Sequence, residues 1–374
     1  MGYTDSADVL ALRIEDDREV SLKLWNLHLF SYGAFSNVYR GFVEDDTNAP
    51  KEVVIKKTWS GTQKASSLTS YEIQILKLLS RLNHKNIVRL LYSYRTRYSD
   101  NATFQTCFSL ILEFFPLNLY QYLKKHQRKI ALVEIKMFAW QLFRGQYHLL
   151  RAGICHRDIK PQNLLVDDES GLLKIGDFGS SAFEPKKSPQ SSYHVTRYYR
   201  PPELLLGAKI YGCEVDIWSC ACVFGEMLRG AVLFPGKSTF NQIELYIDCF
   251  GLPTDQDAFD MNIPNGKWKE IQSVGISTKN DEMYIYNWNI NDAHWVVIPI
   301  TVDCPEEAVQ ILQEMFVYAP HRRLHGQPLL CNPFFDEIFD KSTRRPCGRP
   351  ITCLSRADVI DVMNGDVSMT AGLY

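Results

Sequence analysis

Between positions 156 and 163 the chain reads His156-Arg157-Asp158-Ile159-Lys160-Pro161-Gln162-Asn163, followed by Asp177-Phe178-Gly179 and later by Pro201-Pro202-Glu203. Five fixed positions in the first run alone would arise by chance in a chain of this length about once in ten thousand. The residue types suit one kind of chemistry. Asp177 offers a hard carboxylate oxygen and Asn163 a neutral amide oxygen, a pair that fits Mg²⁺ when phosphates complete its octahedron. Asp158 can orient a hydroxyl group and accept its proton. Lys160, two residues on, can neutralise a phosphate in transit. Upstream, Val53-Val54-Ile55-Lys56 sets a cation in a β-branched run, and Tyr71-Glu72-Ile73-Gln74 supplies a carboxylate that could pair with it. Transfer of a γ-phosphoryl group asks for this set, because it needs charge stabilisation and positioning more than covalent help. Taken singly, Asp158 reads as a surface acid, Asn163 as a helix cap and Lys56 as a solvated strand charge. Their order and spacing together argue otherwise.

The elements that must hold these residues divide into two stretches. The first ~110 residues read mostly as strand: Leu22 and Leu24, and then Leu27 and Leu29, alternate, and Val38-Tyr39, Val53 to Ile55, Ile87 to Tyr94 and Phe108 to Phe114 are β-branched or aromatic runs. A helix is predicted at about Ser70 to Leu82, with Ile75, Leu78, Leu79 and Leu82 on one side. After Pro116 the pattern turns helical. Ile135, Phe138, Ala139, Leu142, Leu149 and Leu150 recur at helical spacing until Gly153, which suits a left-handed helix end. Asp303 and Glu306 resemble a capping box for a helix carrying Ala308, Ile311, Leu312, Met315 and Phe316. Trp295 to Ile300 reads as a buried strand. A small β-rich lobe followed by a large helical lobe is expected, joined near Leu112 to Pro116, where a ligand cleft would lie.

Composition bounds the remainder. The chain has 374 residues, 45% hydrophobic and 22% charged, which excludes disordered, collagenous and coiled-coil classes. A formal net charge of -2 gives no reason to expect nucleic acid or an anionic membrane as partner. Ten cysteines are far too few for a disulfide scaffold and read as free thiols in a reducing compartment. Cys220 and Cys222 lie in an apolar stretch and read as small buried hydrophobes, so no zinc site is expected. The N-terminus lacks a basic and an apolar region, hence no secretory signal is read there. Gly2 and Ser6 match a myristoylation pattern, but Asp5, Asp8, Glu15, Asp16 and Asp17 replace the polybasic second signal that firm anchoring needs, so no stable membrane anchor is expected. The expected location is cytoplasmic, with the nucleus left open.

The motif set resembles the eukaryotic protein kinases. That resemblance implies an α+β bilobal kinase fold, with a β-rich N-lobe carrying one regulatory helix and a mainly helical C-lobe. It also implies an ATP- and Mg²⁺-dependent enzyme acting on Ser or Thr of protein substrates, with Lys160 favouring Ser/Thr over Tyr. Carried over residue by residue, Asp158 is the base, Lys160 its cationic neighbour, and Lys56 with Glu72 the phosphate-holding ion pair. Asn163 and Asp177 are the metal ligands. The nucleotide would lie under Phe30, Ser31, Gly33 and Ser36, between Val38, Val54 and Leu165, and against the backbone of Glu113 and Phe115. Only Gly33 of three loop glycines remains in this stretch, so a stiffer clamp is expected. Asp216 matches the residue that holds the catalytic-loop backbone, and Arg323 the partner of Glu203.

Three stretches narrow the likeness to the CMGC group and to glycogen synthase kinase 3: Glu72 to Tyr92, Ser192 to Leu204, and Glu306 to Asp340. By this resemblance Tyr193 is an autophosphorylated activation-loop tyrosine whose phosphate Arg197 and Arg200 receive. The family reads a primed substrate with three cations; here those places hold Tyr71, Arg157 and Ala182, so little dependence on priming is expected. The expected divisions are 1–21 as an N-terminal extension, 22–113 as N-lobe, 114–342 as C-lobe and 343–374 as a C-terminal tail. Scaffold proteins would dock on the C-lobe, although the stretch Asn262 to Ile300 departs from the family there. Two competing readings are a catalytically weak pseudokinase scaffold and, more remotely, a small-molecule kinase.

Overall fold

The computed structural model describes residues 6–32, 36–45, 51–59, 63–100, 103–183, 185–187, 189, 196–274 and 304–365. The chain divides into two units, one of residues 1–116 with 176–181 and one of residues 117–175 with 182–374.

The first unit is built on strands β1 (Ser6–Arg13), β2 (Glu19–Tyr32), β3 (Ser36–Glu44) and β4 (Lys51–Trp59), helix α1 (Gln63–Leu82), and strands β5 (Leu90–Asp100) and β6 (Thr103–Glu113). The six strands close into an antiparallel barrel in the order β1-β2-β3-β4-β6-β5. Closure leaves no sheet edge exposed to pairing. Alternation decides what each face carries. Ala11, Leu22, Leu24, Val43, Val53, Ile55, Tyr92, Tyr94 and Ile111 form one buried cluster. The register then fixes the opposite face: Val38 lies across from Lys56, and on the far side Lys56 from Leu110 and Val54 from Leu112. The residues expected to touch nucleotide on β3 and β4 therefore share one side of the sheet.

The described part of 1–21, from Ser6 on, is not a lead-in as expected. Ser6–Arg13 pairs with β2 from Ser6 opposite Trp25 to Leu12 opposite Glu19, and Arg13 lies opposite Tyr92 of β5. The strand is needed because the edges of β2 and β5 would otherwise be open. Helix α1 begins at Gln63 rather than near Ser70. Apolar periodicity marked only the half in which Ile75, Leu76 and Leu79 are buried.

The second unit opens with β7 (Leu117–Asn118), α2 (Leu119–Lys125), α3 (Leu132–Arg151), β8 (Ile154–Cys155), β9 (Leu164–Asp167), β10 (Leu172–Ile175) and β11 (Ala182–Phe183). It continues with α4 (Pro202–Leu205), α5 (Val215–Arg229), α6 (Thr239–Phe250), α7 (Asp255–Asp260), α8 (Asn265–Val274), α9 (Glu306–Met315), α10 (Gly326–Leu330) and α11 (Arg356–Met363). Helix α3 ends as its sequence predicts, with Gly153 at a φ of 65° just past the cap at Ala152. Helix α5 is buried from Val215 to Met227 and so forms the centre of the unit. Its Trp218 meets Tyr246 and Phe316 edge to face, with centroids 4.9 and 4.8 Å away. Below it Arg323 grips Glu203 through two bonds of 2.7 Å, and both side chains are buried.

Two further expectations change here. Helix α9 buries Ala308, Ile311, Leu312 and Met315 as its period requires, but its cap is Pro305, which gives no side-chain bond. Asp303 and the stretch Trp295 to Ile300 lie outside the described residues. The part of 343–374 that is described is no trailing tail. Arg345 is buried against Glu134 of α3, and α11 is held by Asp358 to Arg144 at 2.5 Å. Arg144, itself buried on α3, requires such a counter-ion. Among the described residues, no helix is long and apolar enough to cross a membrane.

Candidate active site

In the first unit, β4, α1 and residues 176–181 bring three charges together. Lys56 Nζ donates to Glu72 Oε1 at 2.6 Å and to Asp177 Oδ1 at 3.0 Å. Burial alone would push the Lys56 pKa down, but the two carboxylates outweigh it and hold the ammonium above the ordinary lysine value. Asp177 sits at a φ of 57°, a left-handed conformation that a non-glycine residue adopts at a cost of ~1–3 kcal/mol. Phe178, fully buried beside it, anchors the turn. The glycine that follows has a reason of its own: a Cβ on Gly179 would lie 3.3 Å from Lys56 Nζ and 3.4 Å from Asp177 Oδ1.

The remaining expected nucleotide contacts of this unit are spread along its strands. Phe30 and Ser31 end β2 with their side chains exposed, Ser36 opens β3, and Gly33 lies outside the described residues. Val38 and Val54 are half-buried on the Lys56 face. Glu113 is tied to Arg89, just ahead of β5: its amide donates to the Arg89 carbonyl at 3.2 Å, and its carboxylate accepts from the Arg89 amide at 2.8 Å. Phe115 follows, half-buried, and Arg40 lies 4.3 Å from the centroid of the Phe114 ring.

In the second unit the run after β8 wraps around one carboxylate. Asp158 Oδ2 accepts from Lys160 Nζ at 2.7 Å and from Asn163 Nδ2 at 3.0 Å. Its other oxygen accepts from the Thr196 hydroxyl at 2.7 Å, and Thr196 also accepts from Lys160 at 3.1 Å. Both oxygens are thus held in one orientation. The loop itself hangs on Asp216, buried at the start of α5, which accepts from the His156 amide at 2.6 Å and the Arg157 amide at 2.9 Å. Burial pushes the Asp216 pKa up, against the pull of His156 and of those amides. Arg157 adopts a φ of 65°, a second strained position in the run. Leu165 is half-buried on β9.

Asn163 spends its amide nitrogen on Asp158, which leaves its oxygen as the atom that could act as a metal ligand in the second unit. In the first unit the Asp177 side chain is about half exposed and offers a hard carboxylate oxygen that could do the same.

The sequence matches the protein kinase domain family over residues 28–335. The chain belongs to the protein kinase family. It is 33% identical over 320 residues to the protein kinase gsk3 of Schizosaccharomyces pombe, covering 84% of this chain and 73% of that protein. Against the serine/threonine-protein kinase RIM11/MSD1 of Saccharomyces cerevisiae it is 34% identical over 335 residues, 87% of this chain and 80% of the other. Against glycogen synthase kinase 3 of Trypanosoma brucei brucei it is 33% identical over 285 residues, 75% and 76% of the two chains. It is therefore a serine/threonine protein kinase of the glycogen synthase kinase 3 type, a family that uses ATP with a divalent metal and acts on proteins.

The expected phosphate-binding residues are placed differently from one another. Arg197 donates to the Lys237 carbonyl at 2.9 Å and Arg200 is buried, while Tyr193 lies outside the described residues. Of the three positions at which the family reads a primed substrate, Tyr71 is exposed, Arg157 is buried with Tyr211 Oη 3.5 Å from its guanidinium, and Ala182 pairs with Cys155 across β8 and β11. Thr196 is the functional residue that sequence reasoning missed. Its only signal was a hydroxyl just ahead of the Arg197-Tyr198-Tyr199-Arg200 run, and Ser and Thr are too common for that to stand out.

Proposed function

We propose that this kinase holds ATP through Lys56 and Glu72, binds Mg²⁺ through Asp177 and Asn163, and uses Asp158 as the base that accepts the proton of a substrate Ser or Thr hydroxyl. The observation that carries this is the Lys56 ammonium held between Glu72 and Asp177 at 2.6 and 3.0 Å. A cation fixed there, charged at any ordinary pH, meets the α- and β-phosphates, and Mg²⁺ supplies neutralisation of the β- and γ-oxygens when bound. Lys160 neutralises the moving phosphate while Thr196 and Asn163 keep Asp158 aimed. Glu113 and Phe115 offer backbone groups to adenine, and Val38, Val54 and Leu165 offer apolar surface to its faces. Phe30, Ser31, Gly33 and Ser36 cover the phosphates.

Little dependence on priming follows from Tyr71 and Ala182, neither of which carries a charge, and from the burial of Arg157. Tyr193 is proposed as an autophosphorylation site read by Arg197 and Arg200, and the chain as a cytoplasmic phosphoprotein whose C-lobe receives scaffold proteins. A pure scaffold role is disfavoured because Lys56, Glu72, Asp158, Lys160, Asn163 and Asp177 are all present with bonded geometry. The test is thermal unfolding with and without Mg-ATP. At a hundredfold excess over Kd the wild type should gain about 2.7 kcal/mol, and Asp177→Asn far less. Equal stabilisation of both would contradict the assignment of Asp177.

A further inference from the structure

Apart from the Lys56 cluster, the barrel unit carries a cavity of about 400 Å³ where the end of β1, the start of β4, the end of α1 and the start of β5 meet. Its charged lining is one-sided, with Arg13, Lys51, Arg81 and Arg89 set against Glu15. Arg13 is already engaged: it donates to the buried Asp45 at 3.0 Å and to Asp16 at 3.3 Å. Arg81 pairs with Asp17, but both side chains are more than half exposed, and such a pair contributes little. Lys51 and Arg89 have no carboxylate partner among the described residues. The neutral groups of the wall add donors. Ser80 Oγ accepts from the Leu90 amide at 2.8 Å and keeps its own O–H, and Asn83 Oδ1 accepts from Arg89 Nη1 at 3.3 Å, which leaves the Asn83 amide nitrogen to donate.

We propose that this cavity binds the phosphate dianion of a phosphorylated peptide, with Lys51, Arg81 and Arg89 as its cations and Ser80 as a neutral donor. A phosphomonoester carries close to two negative charges and three acceptor oxygens, so it can take up a guanidinium fork, an ammonium and a hydroxyl together. A carboxylate, with two oxygens and one charge, satisfies less of that set. The bond between Arg81 and Asp17 opens at little cost, because both groups already face water. The volume lies within the ~300–1,000 Å³ of ligand sites, so there is room for the phosphorylated residue and not its phosphate alone. Lys51, Arg81 and Asn83 are exposed, and the peptide on either side of that residue leaves over them.

The cavity bridges the two elements whose approach sets the bond between Lys56 and Glu72. Lys51 opens β4, about 17 Å before Lys56 along the strand. Arg81 lies in the last turn of α1, about 13 Å past Glu72 along the helix. At those distances the cavity is no part of the Lys56 cluster. A dianion bonded to both cations ties the far ends of β4 and α1 together and so favours the paired state of Lys56 and Glu72, which the nucleotide also requires. Each ligand then raises the affinity of the other, since coupling between two sites is reciprocal. The coupling rests on the role proposed above for Lys56 and Glu72, whereas the binding does not.

The test is calorimetric titration of the full chain with a short peptide of Gly and Ala around one phosphoserine, with the same peptide unphosphorylated, and with inorganic phosphate. The phosphopeptide should bind wild type at least tenfold more tightly than it binds Lys51→Gln/Arg89→Gln, and at least tenfold more tightly than the unphosphorylated peptide binds wild type. Lys51→Gln alone, at an exposed position, should already lose several-fold and keeps the comparison readable if the Arg89 change unfolds the chain. Lys56→Gln should bind the phosphopeptide as wild type does. No heat of binding at millimolar phosphopeptide would overturn the proposal, as would equal affinity of wild type and Lys51→Gln, or loss of binding in Lys56→Gln. Equal affinity for inorganic phosphate and the phosphopeptide would overturn the peptide as carrier. In phosphotransfer assays the bound phosphopeptide should lower the KM for ATP at least twofold in wild type and not in Lys51→Gln, and an unchanged KM would overturn the coupling. Wild type that binds the phosphopeptide but transfers no phosphate would contradict the kinase reading and not this site.

Discussion

At the scale of single residues, the half-site around Asp158 owes its geometry to a hydroxyl. Thr196 donates to Asp158 at 2.7 Å and accepts from Lys160 at 3.1 Å, so it braces both members of the direct Lys160–Asp158 pair. Replacing it with Val keeps the shape and removes both bonds. The expected outcome is a fall in kcat of about tenfold to a hundredfold, with Thr196→Ser close to wild type, because a bond to a charged group contributes ~1.5–3 kcal/mol. Unchanged kcat in Thr196→Val, measured on a protein substrate, would remove Thr196 from the mechanism. Gly179 makes a sharper case. A methyl group 3.3 Å from Lys56 Nζ crowds the ion pair without leaving a cavity, so Gly179→Ala should raise the KM for ATP several-fold while leaving the melting temperature within about 1 °C. A KM unchanged by that variant would show that the cluster tolerates the added atom. Asp158, Lys160, Asn163 and Asp177 could be picked out as candidates in the sequence because phosphoryl transfer asks for their types at that spacing, and the bonds of Asp158 to Lys160 and Asn163 and of Asp177 to Lys56 agree with that choice. Thr196 could not be, since a hydroxyl is chemically common and its partners lie 38 and 36 residues away.

Elements show where reading a sequence stops for a different reason. Helix α3 could be placed from its apolar period, and Gly153 ended it as expected. Strand β1 could not, because what makes Ser6–Arg13 a strand is the open edges of β2 and β5 that it closes. Helix α11 was hidden likewise: its anchor, Arg144 to Asp358, spans 214 residues and carries no local signature. Helix α3 also carries a pH dependence. His148 is buried near Arg144 and Arg151; burial first, then those two cations, push its pKa down to about 4. The folded state therefore holds His148 neutral, whereas the unfolded chain binds a proton below about 6.5. More protons on the unfolded state means that stability rises with pH. The loss should run from about pH 6.5 down to about pH 4 and amount to something on the order of 3 kcal/mol at the acid end. Urea midpoints at pH 7 and pH 5 should therefore differ more in wild type than in His148→Gln. Parallel shifts in the two proteins would assign the pH dependence to other groups.

Across the whole molecule, the residues proposed for the reaction are divided in the chain: Lys56, Glu72 and Asp177 belong to the barrel unit, and Asp158, Lys160, Asn163 and Thr196 to the helical unit. The balanced charge of the chain says nothing of this, since the functional charges are few and paired. What is proposed to set this kinase apart from the pattern it resembles is substrate choice. Under the proposed reading, Tyr71 and Ala182 are uncharged and Arg157 is buried, so a priming phosphate should gain little from charge-assisted bonds. A peptide carrying a phosphate four residues C-terminal of the target should be phosphorylated within about threefold of the rate of the same peptide without it. A gain of a hundredfold would place a working phosphate pocket in this chain after all.

The central claim, that Asp158 works as the base of a phosphotransfer reaction, meets its most direct test in a comparison of wild type with Asp158→Asn on one protein substrate with Mg-ATP. The substitution is nearly isosteric and removes the charge, keeping one oxygen that can face either Lys160 or Thr196. It should lower kcat by roughly a hundredfold to ten-thousandfold, the range a positioned base supplies, while leaving the KM for ATP within a few-fold. Wild-type turnover no faster than that of Asp158→Asn would contradict the account and favour a scaffold.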